Sequence, residues 1–417
     1  MAVLENRAKP SMRCGWPTIA LLLVGSALFF FLLVYLIAGS AGEADGDFSS
    51  MSLTTRYSVE EMQKFALQNA LSIQFKPSLY DRRSVSFNRL VSGRDPHFDV
   101  DGVDVLVFLH IQKTAGTSFE KFLVTHLNIT RPCLCNDLTK RCRCSRPRNG
   151  QEFWLFSRYS TGWYCGLHAD FTELYVSGCV EKAMDELERE HRVRRYFYTT
   201  FLRNPIERFI SEYRHVERGA NWLRARHVCN GRRPTATELP LCFDPSDGWK
   251  GVSLSEYLSC PFNLAFNRQT RMLADLSLVH CYDLEAMPRK NRDRILLASA
   301  KNNLRGMAFF GIKERMADSQ EMFERLFQLK FTQSLAHWNK SKSADTVVSA
   351  AQMDLIREQN ALDLELYEYA VRLFEKRLAA VRKNGTMEAE EAANLPAVLP
   401  SATSFPSNST GSFVFGD

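Results

Sequence analysis

The residues best equipped for chemistry form one run: His110, Ile111, Gln112, Lys113, Thr114, Ala115, Gly116, Thr117 and Ser118. Lys113 supplies a full positive charge. Thr114, Thr117 and Ser118 supply hydroxyl donors, and Gly116 lets the backbone approach a ligand closely. At the start of a helix, whose first N–H groups lack partners, such a loop is an anion cradle. It is not a Walker A loop, because no Gly-Lys-Ser/Thr occurs in it. A second set of candidates follows at Leu202-Arg203-Asn204-Pro205, with Ser211 two turns further on. Two anion sites on neighbouring strand–helix turns suit a ligand with separated phosphate-like groups.

These residues need elements to hold them. Val103-Asp-Val-Leu-Val-Phe-Leu-His110 is a short, nearly unbroken apolar run, the pattern of a strand buried on both faces of a parallel sheet. Tyr196–Leu202 and Gly306–Gly311 read the same way. Helical patterns follow each run, at Ser118–His126, Pro205–Val216 and Met316–Gln328, and Pro205 suits a first helical position. Alternating strand and helix predicts an α/β domain with a central parallel sheet flanked by helices. Both candidate anion turns then lie at the carboxyl edge of that sheet, where open α/β sheets bind ligands. Asp354–Arg382 is expected to form one long amphipathic helix, and the Ala/Ser/Pro-rich residues 384–417 a disordered tail.

The remainder of the sequence places the domain. The chain has 417 residues, 45% hydrophobic, which excludes a disordered protein and a small disulfide-stapled one. Thr18–Ala38 carries no charge and has the length of a membrane-spanning helix, with Arg7, Lys9 and Arg13 before it and Glu43, Asp45 and Asp47 after it. The positive-inside rule puts residues 1–17 in the cytosol and everything after 38 in a lumen; a cleaved signal peptide ending near Ala38-Gly39-Ser40-Ala41 is the rival reading. Residues 39–101 form a polar stem and 102–383 the core domain. Of the 11 cysteines, only Cys14 falls on the cytosolic side, leaving an even number for lumenal disulfides. Cys133, Cys135, Cys142 and Cys144 have C-x-C spacing, which favours local disulfides over zinc. Sequons at Asn128, Asn339, Asn384 and Asn408 agree with that compartment. The formal charge of +6 understates the core, because the stem and tail are acidic. Lys140, Arg141, Arg143, Arg146 and Arg148 concentrate basic charge, read either as a solvated face or as a patch for a lumenal polyanion.

Three further blocks narrow the reading: Trp154-Leu-Phe-Ser-Arg-Tyr-Ser-Thr-Gly-Trp-Tyr-Cys-Gly-Leu-His168-Ala-Asp, Arg214-His-Val-Glu-Arg-Gly-Ala-Asn-Trp222 and Asn267-Arg-Gln-Thr-Arg-Met-Leu-Ala-Asp-Leu-Ser-Leu278. With the Lys113 loop and the Arg203/Ser211 pair, residues 101–382 resemble the heparan sulfate 6-O-sulfotransferase family. The resemblance implies a P-loop-like sulfotransferase fold in a Golgi type II membrane protein. It implies 3′-phosphoadenosine 5′-phosphosulfate (PAPS) as co-substrate, heparan sulfate as acceptor, and no requirement for metal. By the same resemblance, residues 110–118 take the 5′-phosphosulfate and Arg203 and Ser211 the 3′-phosphate. Lys113 and His168 are then catalytic, His168 as general base. Lys140, Arg141, Arg158, Trp163, His168, His215 and Trp222 meet the sugar, and Ala336, His337, Trp338, Lys342 and Ser343 close over the nucleotide. One departure is Thr-Ala-Gly at 114–116 where relatives often carry Thr-Gly-Gly; the small Ala115 is expected to preserve function. Competing readings are another Golgi carbohydrate sulfotransferase, acting at a different hydroxyl or on a chondroitin-type chain, and a non-catalytic membrane-anchored heparin-binding protein. Nucleic acid is excluded by compartment.

Overall fold

A computed structural model describes residues 83–136, 141–335 and 347–393, with side chains described to residue 383. The expected membrane span, the cytosolic segment and most of the stem lie outside these residues. In chain order the elements are α1 (Phe87–Val91), β1 (Asp104–Leu109), α2 (Gly116–Thr125), β2 (Leu127–Asn128), β3 (Leu134–Asn136), β4 (Arg141–Arg143) and β5 (Leu155–Phe156). There follow α3 (Cys179–Glu188), β6 (Arg195–Leu202), α4 (Pro205–Glu217), α5 (Leu254–Ser259), α6 (Arg268–Leu273) and α7 (Arg289–Gly306). The last are β7 (Phe309–Ile312), α8 (Met316–Phe327), β8 (Lys330–Phe331), α9 (Ala350–Gln359) and α10 (Ala361–Ala393).

The central sheet is parallel, in the order β5-β1-β6-β7. Every residue of β1 is buried, which accounts for its unbroken apolar sequence. The chain leaves β1 toward β5 on one side, whereas β6 leads to β7 on the other, so the direction of winding reverses between β1 and β6. That reversal opens the crevice between the turns after these two strands. Phenylalanines fill the interior: Phe119 packs on Phe201 at 4.6 Å between ring centres and on Phe323 at 5.4 Å.

The three expected strands and the helices after them are present, with shifted ends. Gly306 still belongs to α7, and the third strand starts at Phe309. Two further differences have physical causes. The long C-terminal helix is broken at Asn360, which is fully buried; its amide donates to the Ile356 carbonyl at 2.8 Å while its oxygen accepts the Asn267 N–H at 3.2 Å. The helix after that break runs to Ala393, past the expected boundary at 383. The folded core also begins earlier than residue 102. Phe87, Leu90 and Phe98, expected in the stem, are buried in it, and Ser84 bridges in parallel to Tyr196.

Disulfides link Cys133–Cys144, Cys135–Cys142, Cys165–Cys179, Cys229–Cys281 and Cys242–Cys260. The C-x-C cluster therefore forms two disulfides, as its spacing predicts, and they staple the β3–β4 hairpin, in which Cys135 pairs across from Cys142.

Candidate active site

The turn after β1 passes through two non-glycine residues in the left-handed region, Lys113 (φ 65°) and Ala115 (φ 75°). Left-handed residues alternating with ordinary ones form the backbone nest in which anions sit. Gly116 has a packing reason as well as the expected one: a Cβ there would come within 3.0 Å of the Phe108 ring and 3.3 Å of the His110 ring. Not every hydroxyl of the loop faces a ligand. Thr114 is fully buried and donates back to the Ile111 carbonyl at 3.0 Å, and Ile111 itself belongs to the core. Thr117 accepts from Arg158 Nη1 at 2.9 Å. Ser118 follows in the first turn of α2, partly buried. Gln112 is buried and lines a cleft of about 240 Å³ with Glu212, Trp222, Trp249, Tyr257 and Arg268. Its Oε1 has no hydrogen-bond partner among the described residues.

Arg203 ends β6 beside this turn. It is buried, its Nη1 donates to the Lys113 carbonyl at 3.3 Å, its Nη2 meets Glu207 at 3.1 Å, and its Nε is unpartnered among the described residues. Burial pushes the Lys113 ammonium down from its usual range, and the Arg203 charge pushes it further. Asn204 caps α4 by accepting the N–H groups of Ile206 and Glu207, at 3.1 and 3.2 Å, with Pro205 in the first helical position. Ser211 is buried on α4, two turns along.

Opposite stands a wall of loops. The His168 ring lies 4.8 Å from Trp163, 5.2 Å from His110 and 5.5 Å from Trp222, centre to centre. His168 has φ 52°, a conformation costly for a side chain of its size that persists only where the surroundings enforce it. They do so here. The Cys165–Cys179 disulfide ties its loop to α3, and Arg226 donates to the carbonyls of Cys165 and Tyr164 at 3.1 and 3.3 Å. Burial holds the His168 imidazole well below the ordinary histidine range; the charges of His110, Arg268, Arg158 and His215 add to this. The ring is therefore unprotonated at neutral pH, the form a base requires. Its Nδ1 is buried and unpartnered among the described residues. The Arg158 guanidinium lies 5.2 Å from the Trp163 ring, and the His215 ring 6.1 Å from Trp222. Arg141 joins from β4, its Nη2 2.7 Å from the point where a Cβ on Gly162 would stand. The basic run divides: Arg146 is buried and structural, bonded to the Val100 carbonyl at 3.1 Å and paired with Glu152 at 3.3 Å, so it belongs to no surface patch. Lys140 and the segment carrying Ala336, His337, Trp338, Lys342 and Ser343 lie outside the described residues.

Several supporting residues escape sequence reasoning. Glu212 is fully buried between Arg208 and Arg268, and the two guanidiniums outweigh burial to hold its carboxyl low; Arg268 in turn lies 5.2 Å from the Trp222 ring. Gln269 brackets the Arg203 backbone, accepting its N–H and donating to its carbonyl, each at 2.9 Å. Asp363 caps α6 by accepting the N–H groups of Gln269 and Thr270 at 3.0 and 2.7 Å. Asn267 returns the contact by accepting the N–H groups of Leu362 and Asp363, at 3.0 and 3.1 Å, where α10 starts. Only one cue was on the page: the block from Asn267 to Leu278 is dense in polar residues for a short buried helix.

A cationic turn at a sheet edge facing an unprotonated histidine between two tryptophans matches what comparison with known proteins finds. The profile described as "Sulfotransferase family" matches residues 96–370. Heparan-sulfate 6-O-sulfotransferase 3-B of Danio rerio is 48% identical over 295 residues, 71% of this chain and 70% of its own. Heparan-sulfate 6-O-sulfotransferase 1 of Homo sapiens is 49% identical over 286 residues, 68% of this chain and 69% of its own. Heparan-sulfate 6-O-sulfotransferase 2 of Danio rerio is 49% identical over 298 residues, covering 70% of this chain and 63% of that relative. The profile match spans the sheet, the turn at Lys113 and the wall around His168 alike, and the chain belongs to the heparan-sulfate 6-O-sulfotransferase family.

Proposed function

We propose that the protein transfers the sulfuryl group of PAPS to the 6-hydroxyl of glucosamine residues in heparan sulfate. The observation that carries this reading is the juxtaposition of the Lys113–Arg203 turn pair with His168, bridged by the bond from Arg158 to Thr117. The residues fit an anionic co-substrate: a nest at Lys113–Ala115, a partly buried ammonium, and a buried guanidinium with an unpaired Nε. Residues 110–118 hold its 5′ end, and Arg203 and Ser211 its 3′-phosphate. PAPS supplies the activated sulfuryl group. The chain positions the reactants and neutralises developing charge, as in phosphoryl transfer. His168 takes the proton of the sugar hydroxyl, a contribution of about 10²–10⁴-fold for a well-placed base. Lys113 offsets the negative charge that grows on the leaving phosphate. Trp163 and Trp222 stack on sugar rings, while Lys140, Arg141, Arg158 and His215 meet sulfates and carboxylates of the acceptor. Ala336, His337, Trp338, Lys342 and Ser343 close over the nucleotide.

The same reading makes the chain a Golgi type II membrane protein: residues 1–17 cytosolic, 18–38 the anchor, a stem that ends before the first buried core residue at Val85, a catalytic domain on a P-loop-like sulfotransferase fold that takes in α1 and α10, and a tail after Ala393. Five lumen-type disulfides support it. The test is incubation of the purified lumenal portion with labelled PAPS and desulfated heparan, followed by disaccharide analysis. Label in glucosamine 6-sulfate is expected; label at another position, or on a chondroitin acceptor alone, sinks the assignment.

A further inference from the structure

Glu120 is a buried residue at the centre of this site whose side chain no proposed step uses. It sits one turn into α2 and is fully buried, an expensive place for a carboxyl unless its oxygens are satisfied. They are satisfied from two directions. Oε1 accepts the backbone N–H of Arg158 at 3.0 Å, and Oε2 contacts His110 Nδ1. One carboxylate thus joins the last residue before the Lys113 turn to the loop that carries Arg158 and Trp163. The Arg158 N–H can only donate, so Oε1 must accept. A carboxylate accepts at its second oxygen as well, which places a proton on His110 Nδ1. The His110 ring is in turn 5.2 Å from His168 and 5.7 Å from Trp163.

We propose that Glu120 is a positioning residue: by accepting one N–H from each side of the site it fixes the His110 tautomer and locks the Arg158 loop against the phosphosulfate turn. The inference rests on the sulfotransferase reading for its consequence in catalysis, but not for the tautomer itself. A glutamine cannot substitute, although it has the same shape. Its single oxygen can serve Arg158, but its NH₂ then faces His110 Nδ1 and is satisfied only if the histidine moves its proton to Nε2. Glu120→Gln therefore takes the proton off His110 Nδ1 and leaves Nε2 as the ring's only donor.

The experiment is ¹⁵N NMR of histidine-labelled lumenal protein, with kinetics on PAPS and desulfated heparan in parallel. Wild type is expected to carry the His110 proton on Nδ1, and Glu120→Gln to carry it on Nε2. The variant's kcat is expected to fall about 10–100-fold, the size of loss seen when a partner that orients a metal-bound histidine is removed, with both KM values within about threefold. His110→Asn and the double variant are expected to lose the same activity within about threefold, because two residues acting through one contact do not add. A wild-type His110 that carries no proton on Nδ1 overturns the proposal without any variant, whether or not Glu120→Gln folds. So does a folded Glu120→Gln with wild-type kcat, or one whose loss multiplies with that of His110→Asn. If wild type transfers no sulfate at all, the functional reading fails, and the tautomer measurement still decides the role of Glu120.

Discussion

Lys113 and Arg203 stand on short turns from parallel strands buried along all or nearly all of their length, and helix starts and backbone bonds fix their positions. Trp163, His168 and Trp222 stand on irregular chain, held by disulfides and by arginines that reach loop carbonyls. The side proposed for the donor thus takes its precision from the sheet, and the side proposed for the acceptor from cross-links. The sheet edge resists local change, since moving Lys113 means moving β1. The wall lacks such a scaffold, and its geometry is as good as its staples. A catalyst that brings a small invariant nucleotide to a long variable polymer can use this division, with an immovable donor cradle and an acceptor face made of adjustable loops.

The contrast can be broken from either side. Lys113→Ala is expected to abolish sulfate incorporation, a loss of about 10³-fold or more in kcat with the melting temperature retained, because it removes charge stabilisation without removing packing. Activity surviving in that variant would remove the donor cradle from the mechanism. His168→Ala follows, with a loss of about 10²–10³-fold in kcat at unchanged PAPS affinity. Its wild-type pH profile sharpens the point. A base works only when unprotonated, so kcat/KM falls as pH drops through the His168 value; that value is held below the ordinary 6.5, so the acid limb belongs below pH 6.5. A limb at or above that pH contradicts the burial described here. Next, replacing Cys229 and Cys281 by serine opens a 52-residue separation and is expected to cost about 4 kcal/mol, against about 2 for the 7-residue Cys135–Cys142 link. Urea unfolding measures both, and kinetics should show acceptor KM rising while PAPS KM stays put. Equal effects on the two KM values would dissolve the contrast between the sides. The smallest effect is at Ala115, whose φ of 75° favours glycine: Ala115→Gly is expected to stabilise by about 1 kcal/mol and leave kcat unchanged.

The same contrast explains what could be read in advance. Buried parallel strands announce themselves by unbroken apolar runs, so β1 and β6, the turns after them, and Lys113, Arg203 and Ser211 were legible from residue types alone. The wall was not. His168, Trp163 and Trp222 entered through resemblance of whole blocks, since a lone histidine among aromatics has no periodicity to mark it. Strand β5 is two residues long, too short for alternation to register. The break at Asn360 was illegible because Asn360 fits a helix locally and is diverted only by Asn267, far away in sequence. Glu120 and Asp363 stayed hidden for a related reason. Each looks like an ordinary helix-surface acid until the partner that buries it is known.

The reciprocal capping of α6 and α10 bears on how the molecule is made. The N–H of Thr270 waits for a carboxylate synthesised 93 positions later. Until Asp363 has left the ribosome, α6 lacks the carboxylate cap on its first turn, and Gln269 lacks that support for the backbone from which it braces Arg203. The links Cys133–Cys144, Cys135–Cys142 and Cys165–Cys179 span 11, 7 and 14 positions and can close while translation continues. The order of synthesis therefore runs opposite to the rigidity of the finished molecule: the stapled loops around the proposed acceptor site can be oxidised first, and the sheet-edge turn proposed for the nucleotide gains its last brace with Asp363. A chain that terminates upstream of Asp363 would keep the partners of these early disulfides and yet lack the cap on the helix whose Gln269 brackets Arg203.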